Sequence, residues 1–259
     1  MREVQQNGRI GLEFEGMARL GGVRHVFTTR NRDGGGNLSL TGDRDSEAAR
    51  NERSFWAGWV GVEAGTWVVG GLEHGASLSV VTSSTAEMEG SDSDTVIPAT
   101  DGLLTTQPGV PLFVTVADCS AVLLHAPGPT PALGVIHAGW RGLAAGILPD
   151  AVARIADLSG CSPGDLFAGI SPCIGPAHFE VGEEVLASAP VNRRLKMGDS
   201  WHVDLGGWAF ETLSDSGITS ASIETSGLDT AERADLFFSR RRDGEGGGRQ
   251  GLLALLNTP

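Results

Sequence analysis

The chain has 259 residues, of which 32 are acidic and 19 basic, so its formal charge at pH 7 is −13. This acidity argues against a nucleic-acid partner, because phosphate backbones bind to basic surfaces. No apolar run reaches the roughly 20 residues of a membrane helix, no apolar signal core opens the chain, and three cysteines are too few for a disulfide framework, so we predict a globular cytoplasmic protein without a membrane partner.

The hydrophobic pattern predicts strands and helices in an irregular order. Short apolar runs bounded by turn residues predict strands, and apolar residues at helical spacing predict helices. In chain order we predict a strand at Val23–Thr29, a helix at Asp45–Val60, strands at Thr66–Val69, Leu78–Val81, Leu112–Ala117, Ala121–His125 and Leu133–Ile136, a helix at Leu143–Leu158, a strand at Leu166–Ile170, helices at Val181–Ala187 and Leu205–Ser216, and strands at Ser222–Thr225, Leu236–Ser239 and Gly251–Leu256. The polar stretch Thr82–Asp94 has no such pattern and is predicted to be an exposed loop.

This mixture of elements indicates an α+β fold in which helices cover mixed β-sheets. Paired strands occur beside strand–helix units, so a regular doubly wound sheet is disfavoured. Neither a linker-like stretch nor an internal repeat interrupts the chain. We therefore predict a single domain over residues 1–259, with residues 1–22 as a peripheral N-terminal segment.

Three side chains with metal-binding or nucleophilic chemistry lie at predicted strand ends or on a tight turn. Cys119 follows the apolar run LFVTVA and is preceded by Asp118. His137 ends the next strand but one, immediately before a turn that contains glycine. His74 lies on a turn flanked by glycines, which permit close backbone approach. Open sheets keep their sites at such strand ends, so these residues are our candidates for the chemistry.

The residue types leave two kinds of site open. Two imidazoles and a thiolate from His74, Cys119 and His137 would suit catalytic Zn²⁺ with an open fourth position. The same set would suit a blue-copper ion with a weak axial ligand such as methionine. Alternatively, Cys119 and His137 could form a nucleophile–base pair without metal. Spacing alone does not separate these alternatives, because both need thiolate and imidazole at bonding distance.

The arginines suggest an anion site in a chain that is otherwise acidic. Arg141 opens a predicted helix, where free backbone N–H groups and a guanidinium together favour phosphate or carboxylate. Arg30, Arg53 and the run Arg240–Arg242 also lie near predicted strand ends. The chain has neither a dinucleotide-binding glycine motif nor a P-loop, so standard nucleotide sites are excluded.

Several motifs together resemble the laccase-domain family, also labelled polyphenol oxidase. They are FTTR, NLSL, EHG, TDGLLTTQPGVPL, ADC at 117–119, HAGWRG at 137–142, IGP followed by FEVG at 174–182, and FFSRRRDG at 237–244. The resemblance extends from about Val23 to the C-terminus. It implies a purine nucleoside phosphorylase that also deaminates adenosine, with a fold similar to that of deamidating toxins that carry a cysteine hydrolase site.

The resemblance implies that His74, Cys119 and His137 bind zinc, with copper as the less favoured metal. On this basis the expected substrates are phosphate with adenosine, inosine or methylthioadenosine. We predict two groups of functional residues. Those expected to take part in catalysis are Cys119, His137, Asp118 and Arg141, and those expected to bind substrate are Arg30, Asn37, Arg53, Glu180 and Arg241. Asp118 or Glu180 would carry a proton or orient a ligand.

The sequence also departs from the family pattern. Leu72 stands where the family has glutamine, Ala177 and His178 replace two cysteines, and Phe179 replaces a tyrosine. The chain has six histidines and no HxH pair, so a four-copper oxidase is nearly excluded. Three other functions stay open: a Cys–His hydrolase or amidase acting on a peptidoglycan precursor, a copper-dependent phenol oxidase, and a binding protein with structural zinc.

Overall fold

The computed structural model of the chain describes residues 1–31, 34–41, 45–63, 65–82 and 95–258. Within these ranges the strands are β1 (Arg2–Gln6), β2 (Arg9–Glu13), β3 (Val23–Thr28), β4 (Val68–Gly70), β5 (Leu78–Val81), β6 (Thr95–Ile97), β7 (Gly102–Thr105), β8 (Leu112–Val116), β9 (Ser120–Ala126), β10 (Ala132–Ala138), β11 (Phe167–Ile170), β12 (Glu180–Val181), β13 (Arg194–Met197), β14 (Ser200–Val203), β15 (Ile223–Thr225) and β16 (Gln250–Leu256). The α-helices are α1 (Glu15–Leu20), α2 (Ser46–Val60), α3 (Trp140–Ala144), α4 (Ile147–Ser159), α5 (Glu183–Ser188), α6 (Leu205–Asp215) and α7 (Arg240–Asp243). Apart from Thr82, the predicted loop at 82–94 lies outside the described residues.

The strands form two mixed sheets and one small antiparallel sheet. The seven-stranded sheet has the order β1-β2-β3-β16-β8-β4-β6, in which β8, β4 and β6 are parallel. The six-stranded sheet has the order β15-β11-β9-β10-β7-β5, with parallel pairs at both edges. Strands β12, β14 and β13 form the third sheet. Helices cover the two large mixed sheets, so the α+β prediction is confirmed.

The two large sheets pack face to face, and alternation along each strand sends side chains to two different cores. On β8, Leu112 and Val114 face the core between the sheets, whereas Phe113 faces helix α2. On β7, Leu103 faces the same central core, whereas Leu104 faces the core beneath helices α4 and α6. The order of layers is therefore helix, sheet, sheet, helices.

Three segments cross from the seven-stranded to the six-stranded sheet. They join β4 to β5, β6 to β7, and β8 to β9. Because β4, β6 and β8 are parallel, all three crossings leave from the same edge of their sheet. Strand β10 runs antiparallel to β7 and β9, so its carboxyl end lies beside the point where these crossings enter the second sheet.

The predicted helix at Leu143–Leu158 is wrong as a single element. The chain forms α3 and then α4, separated by Ala145 and Gly146, and Gly146 has φ of +83°. This left-handed conformation cannot continue a right-handed helix, although the apolar spacing continues through it. The predicted helix at Val181–Ala187 begins instead at Glu183, because Glu180 and Val181 pair with β14.

The predicted strand at Leu236–Ser239 is also wrong. This segment is buried, and no strand among the described residues pairs with it. Instead, the side-chain amide of Gln250 accepts from the Phe238 backbone N–H at 2.8 Å and donates to its carbonyl at 3.0 Å. One buried side chain thus satisfies the backbone groups that a strand partner would otherwise satisfy.

The first 22 residues form the β1–β2 hairpin and α1 at the edge of the seven-stranded sheet. Leu12, Phe14 and Met17 are buried in the central core. The N-terminal amino group of Met1 pairs with Glu224 at 2.7 Å. None of the described helices is long and apolar enough to cross a membrane.

Candidate metal centre

His74, Cys119 and His137 converge at the edge where the chain crosses between the two large sheets. Their ligand atoms all lie within 4.8 Å of one another, and no other such group was found among the described residues. His137 is buried, Cys119 is half-buried and His74 is exposed. The two imidazole rings are nearly perpendicular, with centroids 4.8 Å apart. The cluster can therefore hold a metal ion whose outer side faces the solvent.

Asp101 is buried behind the cluster and holds both histidines, a role that the sequence did not predict. Its Oδ1 accepts from His137 Nδ1 and from the His74 backbone N–H, each at 2.9 Å. Its Oδ2 accepts from the backbone N–H groups of Gly75 and Glu73, at 2.8 and 3.3 Å. The bond to Nδ1 leaves Nε2 of His137 for the metal, the arrangement by which carboxylates orient ligating histidines.

The turn that carries His74 depends on these bonds. His74 has φ of +60°, a left-handed conformation that is uncommon for residues other than glycine. Three successive N–H groups directed at one carboxylate compensate for that conformation. A buried carboxylate before β7 could have been noted in the motif TDGLLTT, but the motif gives no indication of its partners.

Charge also favours the ligating forms of the cluster. Burial raises the pKa of Cys119, but the neighbouring His137 and His74 outweigh it and lower the pKa of the thiol to about 6. For His137, burial lowers the pKa, but the Cys119 thiolate and the Asp101 carboxylate outweigh it and the net direction is upward. In the absence of metal these shifts favour a thiolate–imidazolium pair, and a metal ion would displace the proton from His137.

The space above the ligands is preserved by Gly139. A Cβ at this position would lie 2.9 Å from Cys119 Sγ and 3.6 Å from the His137 ring. Any side chain here would press on the Cys119 thiol and contact the His137 ring. The donor set and this clearance both fit a transition-metal ion with a vacant coordination position.

A cavity of about 530 Å³ opens directly onto the cluster. Its lining combines apolar and aromatic side chains with charged groups. The lining residues include His74, Asp118, Cys119, Trp140, Arg141, Ile174, Phe179, Glu180, Val181, Val185, Leu205, Arg240, Arg241 and Glu245. Such a volume and such a mixed lining are typical of sites for small organic ligands.

Asp118 lies beside the cluster, with both carboxylate oxygens engaged. Oδ1 accepts from the Thr230 hydroxyl at 2.7 Å, and Oδ2 accepts from the Arg241 backbone N–H at 2.8 Å. The residue has φ of +85°, and its carbonyl accepts from the Ile174 N–H. These contacts fix the turn before Cys119 and the start of α7. They indicate a positioning role for Asp118 more than proton transfer.

Three other predicted residues line the cavity. Arg141 is exposed, lies 4.2 Å from the centroid of the Trp140 ring and pairs with Glu184 at 3.3 Å. The Arg241 guanidinium donates at 2.9 Å to the carbonyls of His178 and of Glu180. Glu180 is exposed, and its carboxylate accepts from the Ser200 hydroxyl at 2.9 Å. Arg240 also lines the cavity, although it was predicted only as part of an arginine run.

The structure does not bring Arg30, Asn37 or Arg53 to the lining of this cavity. Arg30 lies over the Phe238 ring at 5.1 Å. Asn37 holds its own loop through bonds with Ser39 and the Arg249 N–H. Arg53 is buried, donates to the Leu38 carbonyl at 2.9 Å and packs on Trp67 and Phe113.

The remaining histidines and cysteines have other surroundings. His25 accepts from the Phe14 N–H, and His125, His178 and His202 each bond to an oxygen elsewhere in the chain. Burial raises the pKa of the Cys173 thiol, which therefore stays protonated. No methionine lines the cavity among the described residues.

Comparisons with known proteins agree with this architecture. A sequence model of the family described as multi-copper polyphenol oxidoreductase laccase matches residues 17–257. The purine nucleoside phosphorylase YlmD of Geobacillus stearothermophilus is 32% identical over 216 residues, which cover 80% of this chain and 78% of that protein. A purine nucleoside phosphorylase of Streptomyces coelicolor is 31% identical over 241 residues, covering 90% and 91% of the two chains. The crystal structure of the Geobacillus YlmD superposes with a TM-score of 0.86 at 27% identity, over 99% of both chains.

Proposed function

The chain belongs to the multi-copper polyphenol oxidoreductase laccase family, and from that premise we propose that it is a zinc-dependent purine nucleoside phosphorylase that also deaminates adenosine. Relatives that span most of this chain are named purine nucleoside phosphorylases. The observation that carries the proposal is the cluster of His74, Cys119 and His137, of which His74 and Cys119 line a cavity of nucleoside size. A cytoplasmic location would keep Cys119 reduced for this role.

Zinc suits the site better than copper does. A blue-copper ion would need a weak axial ligand such as methionine, and the described residues place none at the cavity. A multicopper cluster would need many more histidines than the two available here, since the other four are engaged elsewhere. When bound, zinc supplies Lewis acidity at the floor of the cavity.

The cavity walls have the chemistry to hold a nucleoside and an anion. Trp140 and Phe179 supply aromatic faces on which a purine can stack. Arg141 presents a guanidinium that can bind phosphate. In phosphorolysis a phosphate oxygen bonds to C1′ of the ribose as the glycosidic bond breaks, and the bonding electrons leave with the purine.

Glu180 is our candidate for proton transfer. Its carboxylate lines the cavity and is exposed, whereas Asp118 is held by two hydrogen bonds. In phosphorolysis a protonated Glu180 would give its proton to the departing purine, and the resulting carboxylate would regain a proton from solvent. In deamination it would take a proton from the attacking water and return one to the ammonia that leaves from C6. Adenosine, inosine and methylthioadenosine all offer the purine and ribose that these steps require.

The test is to purify the protein, measure its metal content and incubate it with adenosine and phosphate. We expect about one zinc ion per chain and the products adenine, ribose 1-phosphate and inosine. His74→Ala should lose zinc and product formation together. His178→Ala is the matched control, because its exposed imidazole lies outside the cavity lining. A zinc-loaded protein that forms none of the three products would refute the proposal.

A second candidate function is supported by Asp101. Cys119, His137 and Asp101 have the connectivity of a nucleophile, a base and an orienting carboxylate, which suits a Cys–His hydrolase or amidase. The likeness to deamidating toxins stays a prediction. Amide hydrolysis of a peptidoglycan precursor that persists with chelator and in His74→Ala, but is lost in Cys119→Ser, would support this candidate over the first.

A further inference from the structure

Three guanidinium groups of the described residues border the cavity, and they differ in what holds them. Arg241 donates to two backbone carbonyls, so the main chain fixes its position. Arg141 and Arg240 pair instead with the carboxylates of Glu184 and Glu245. These last two arginines are therefore the ones whose partners can exchange without moving the backbone.

Both exchangeable pairs are exposed and therefore weak. The Arg141 and Glu184 side chains are 54% and 71% exposed, and those of Arg240 and Glu245 are 58% and 79% exposed. Ion pairs in such positions contribute from nothing to about 1 kcal/mol, because water and salt screen them. A phosphate dianion carries more charge than one carboxylate and offers more acceptor oxygens, so it can displace either glutamate.

Arg240 is the better placed of the two arginines. Its neighbour Arg241 is anchored through its backbone N–H to Asp118, immediately before Cys119. The pKa of Arg240 is raised mainly by its bond with Glu245, and the charges of Cys119 and Asp118 add to that effect. Arg240 also lines the same cavity as the ligands His74 and Cys119.

We propose that Arg240 is the principal phosphate-binding residue, and that Glu245 occupies its guanidinium until phosphate displaces it. Arg141 and Glu184 form a second pair of the same kind on the wall that begins at α3. This inference rests on the proposed phosphorylase function. It makes Glu245 an internal competitor that sets the phosphate concentration the enzyme needs.

Steady-state phosphorolysis of adenosine at varied phosphate tests the competition. Glu245→Gln should lower KM for phosphate about two- to fivefold, because the competing charge is gone. Arg240→Gln should raise that KM roughly tenfold or more, while KM for adenosine changes by less than about twofold. Glu184→Gln should have a smaller effect than Glu245→Gln.

Glu183→Gln is the matched control for charge. It removes an exposed carboxylate from the same first turn of α5 that carries Glu184, and it lies outside the cavity lining. KM for phosphate should be unchanged in this variant. If Glu183→Gln and Glu245→Gln lower KM for phosphate equally, the effect comes from the change in net charge and the inference is overturned. An unchanged KM for phosphate in Arg240→Gln would also overturn it.

Phosphate binding without turnover separates this inference from the proposed function. Titration with inorganic phosphate, followed by phosphorus NMR line broadening on the zinc-loaded protein, needs no product. If the wild type forms no ribose 1-phosphate but binds phosphate, and Arg240→Gln does not, the function fails and the anion site stands. Equal binding by the wild type and Arg240→Gln overturns the anion site.

Discussion

Replacing Asp101 by asparagine tests whether one carboxylate organises the metal centre. Asn has almost the same shape but exchanges one acceptor oxygen for an NH₂ donor. In either orientation this amide nitrogen would face two of the four N–H groups that now donate to Asp101. The substitution therefore breaks two bonds at a site that is 1% exposed, where water cannot replace them.

The expected loss follows from those two bonds. Hydrogen bonds to a charged group contribute about 1.5 to 3 kcal/mol each, so the free energy of unfolding should fall by roughly 3 to 6 kcal/mol. This is a large share of the roughly 5 to 15 kcal/mol that typically holds a domain folded. Because a neutral amide orients His137 more weakly than a carboxylate in either orientation, metal affinity should fall by about 10- to 100-fold.

Two measurements on the same protein check this expectation. Urea denaturation of the metal-free forms gives the loss of stability, and chelator competition gives the metal dissociation constant. Asp150→Asn is the control, because Asp150 forms an exposed pair with Arg154 and its loss should cost less than about 1 kcal/mol. Equal stability and equal metal affinity of Asp101→Asn and the wild type would refute the role of Asp101.

Three further outcomes are expected. Gly139→Ala should lose metal in an elemental assay, because its Cβ would lie 2.9 Å from Cys119 Sγ. The control Gly58→Ala, whose Cβ would meet no neighbouring atom within 4 Å, should keep its metal, and its free energy of unfolding should rise by about 0.5 to 1 kcal/mol. Burial lowers the pKa of His25 to about 4, so the unfolded chain binds a proton below pH 6.5 that the folded chain excludes. Between pH 7 and pH 5 the free energy of unfolding, measured by urea denaturation, should therefore fall by roughly 2 kcal/mol more in the wild type than in His25→Gln. Equal falls in the two proteins would contradict this. Phe179→Ala should raise KM for adenosine about tenfold with metal content unchanged, and an unaltered KM would exclude stacking on this ring.

The interior of the fold was predictable because its strands are continuous apolar runs. The run predicted at Leu112–Ala117 is strand β8, and the one at Gly251–Leu256 lies within β16. Both are flanked by other strands and by packed layers on each face. The strands β1 and β13 were missed because they lie at sheet edges and are rich in polar residues. In such strands backbone pairing, which leaves no mark on the side-chain pattern, determines the structure.

The candidate site was predictable where chemistry alone identified it. His74, Cys119 and His137 stand out by residue type and by their turns, and the structure brings them within 4.8 Å. Asp101 does not stand out, because a carboxylate becomes an orienting group only through the four donors that surround it. Three of those donors are backbone N–H groups, which every sequence has in equal supply.

Topology explains why these four residues meet. His74, Asp101 and Cys119 lie on the three segments that cross between the large sheets, and the parallel arrangement of β4, β6 and β8 brings those segments to one edge. His137 reaches the same edge because β10 runs antiparallel to the strands beside it, pairing His137 with Ala121 at the start of β9. His137 lies within β10, Asp101 and Cys119 directly precede β7 and β9, and the backbone of His74 is held by Asp101. The sheets and this hydrogen bond therefore position the cluster before any metal binds. A metal-free protein should therefore keep these residues clustered, which is the preorganisation that a catalytic centre requires.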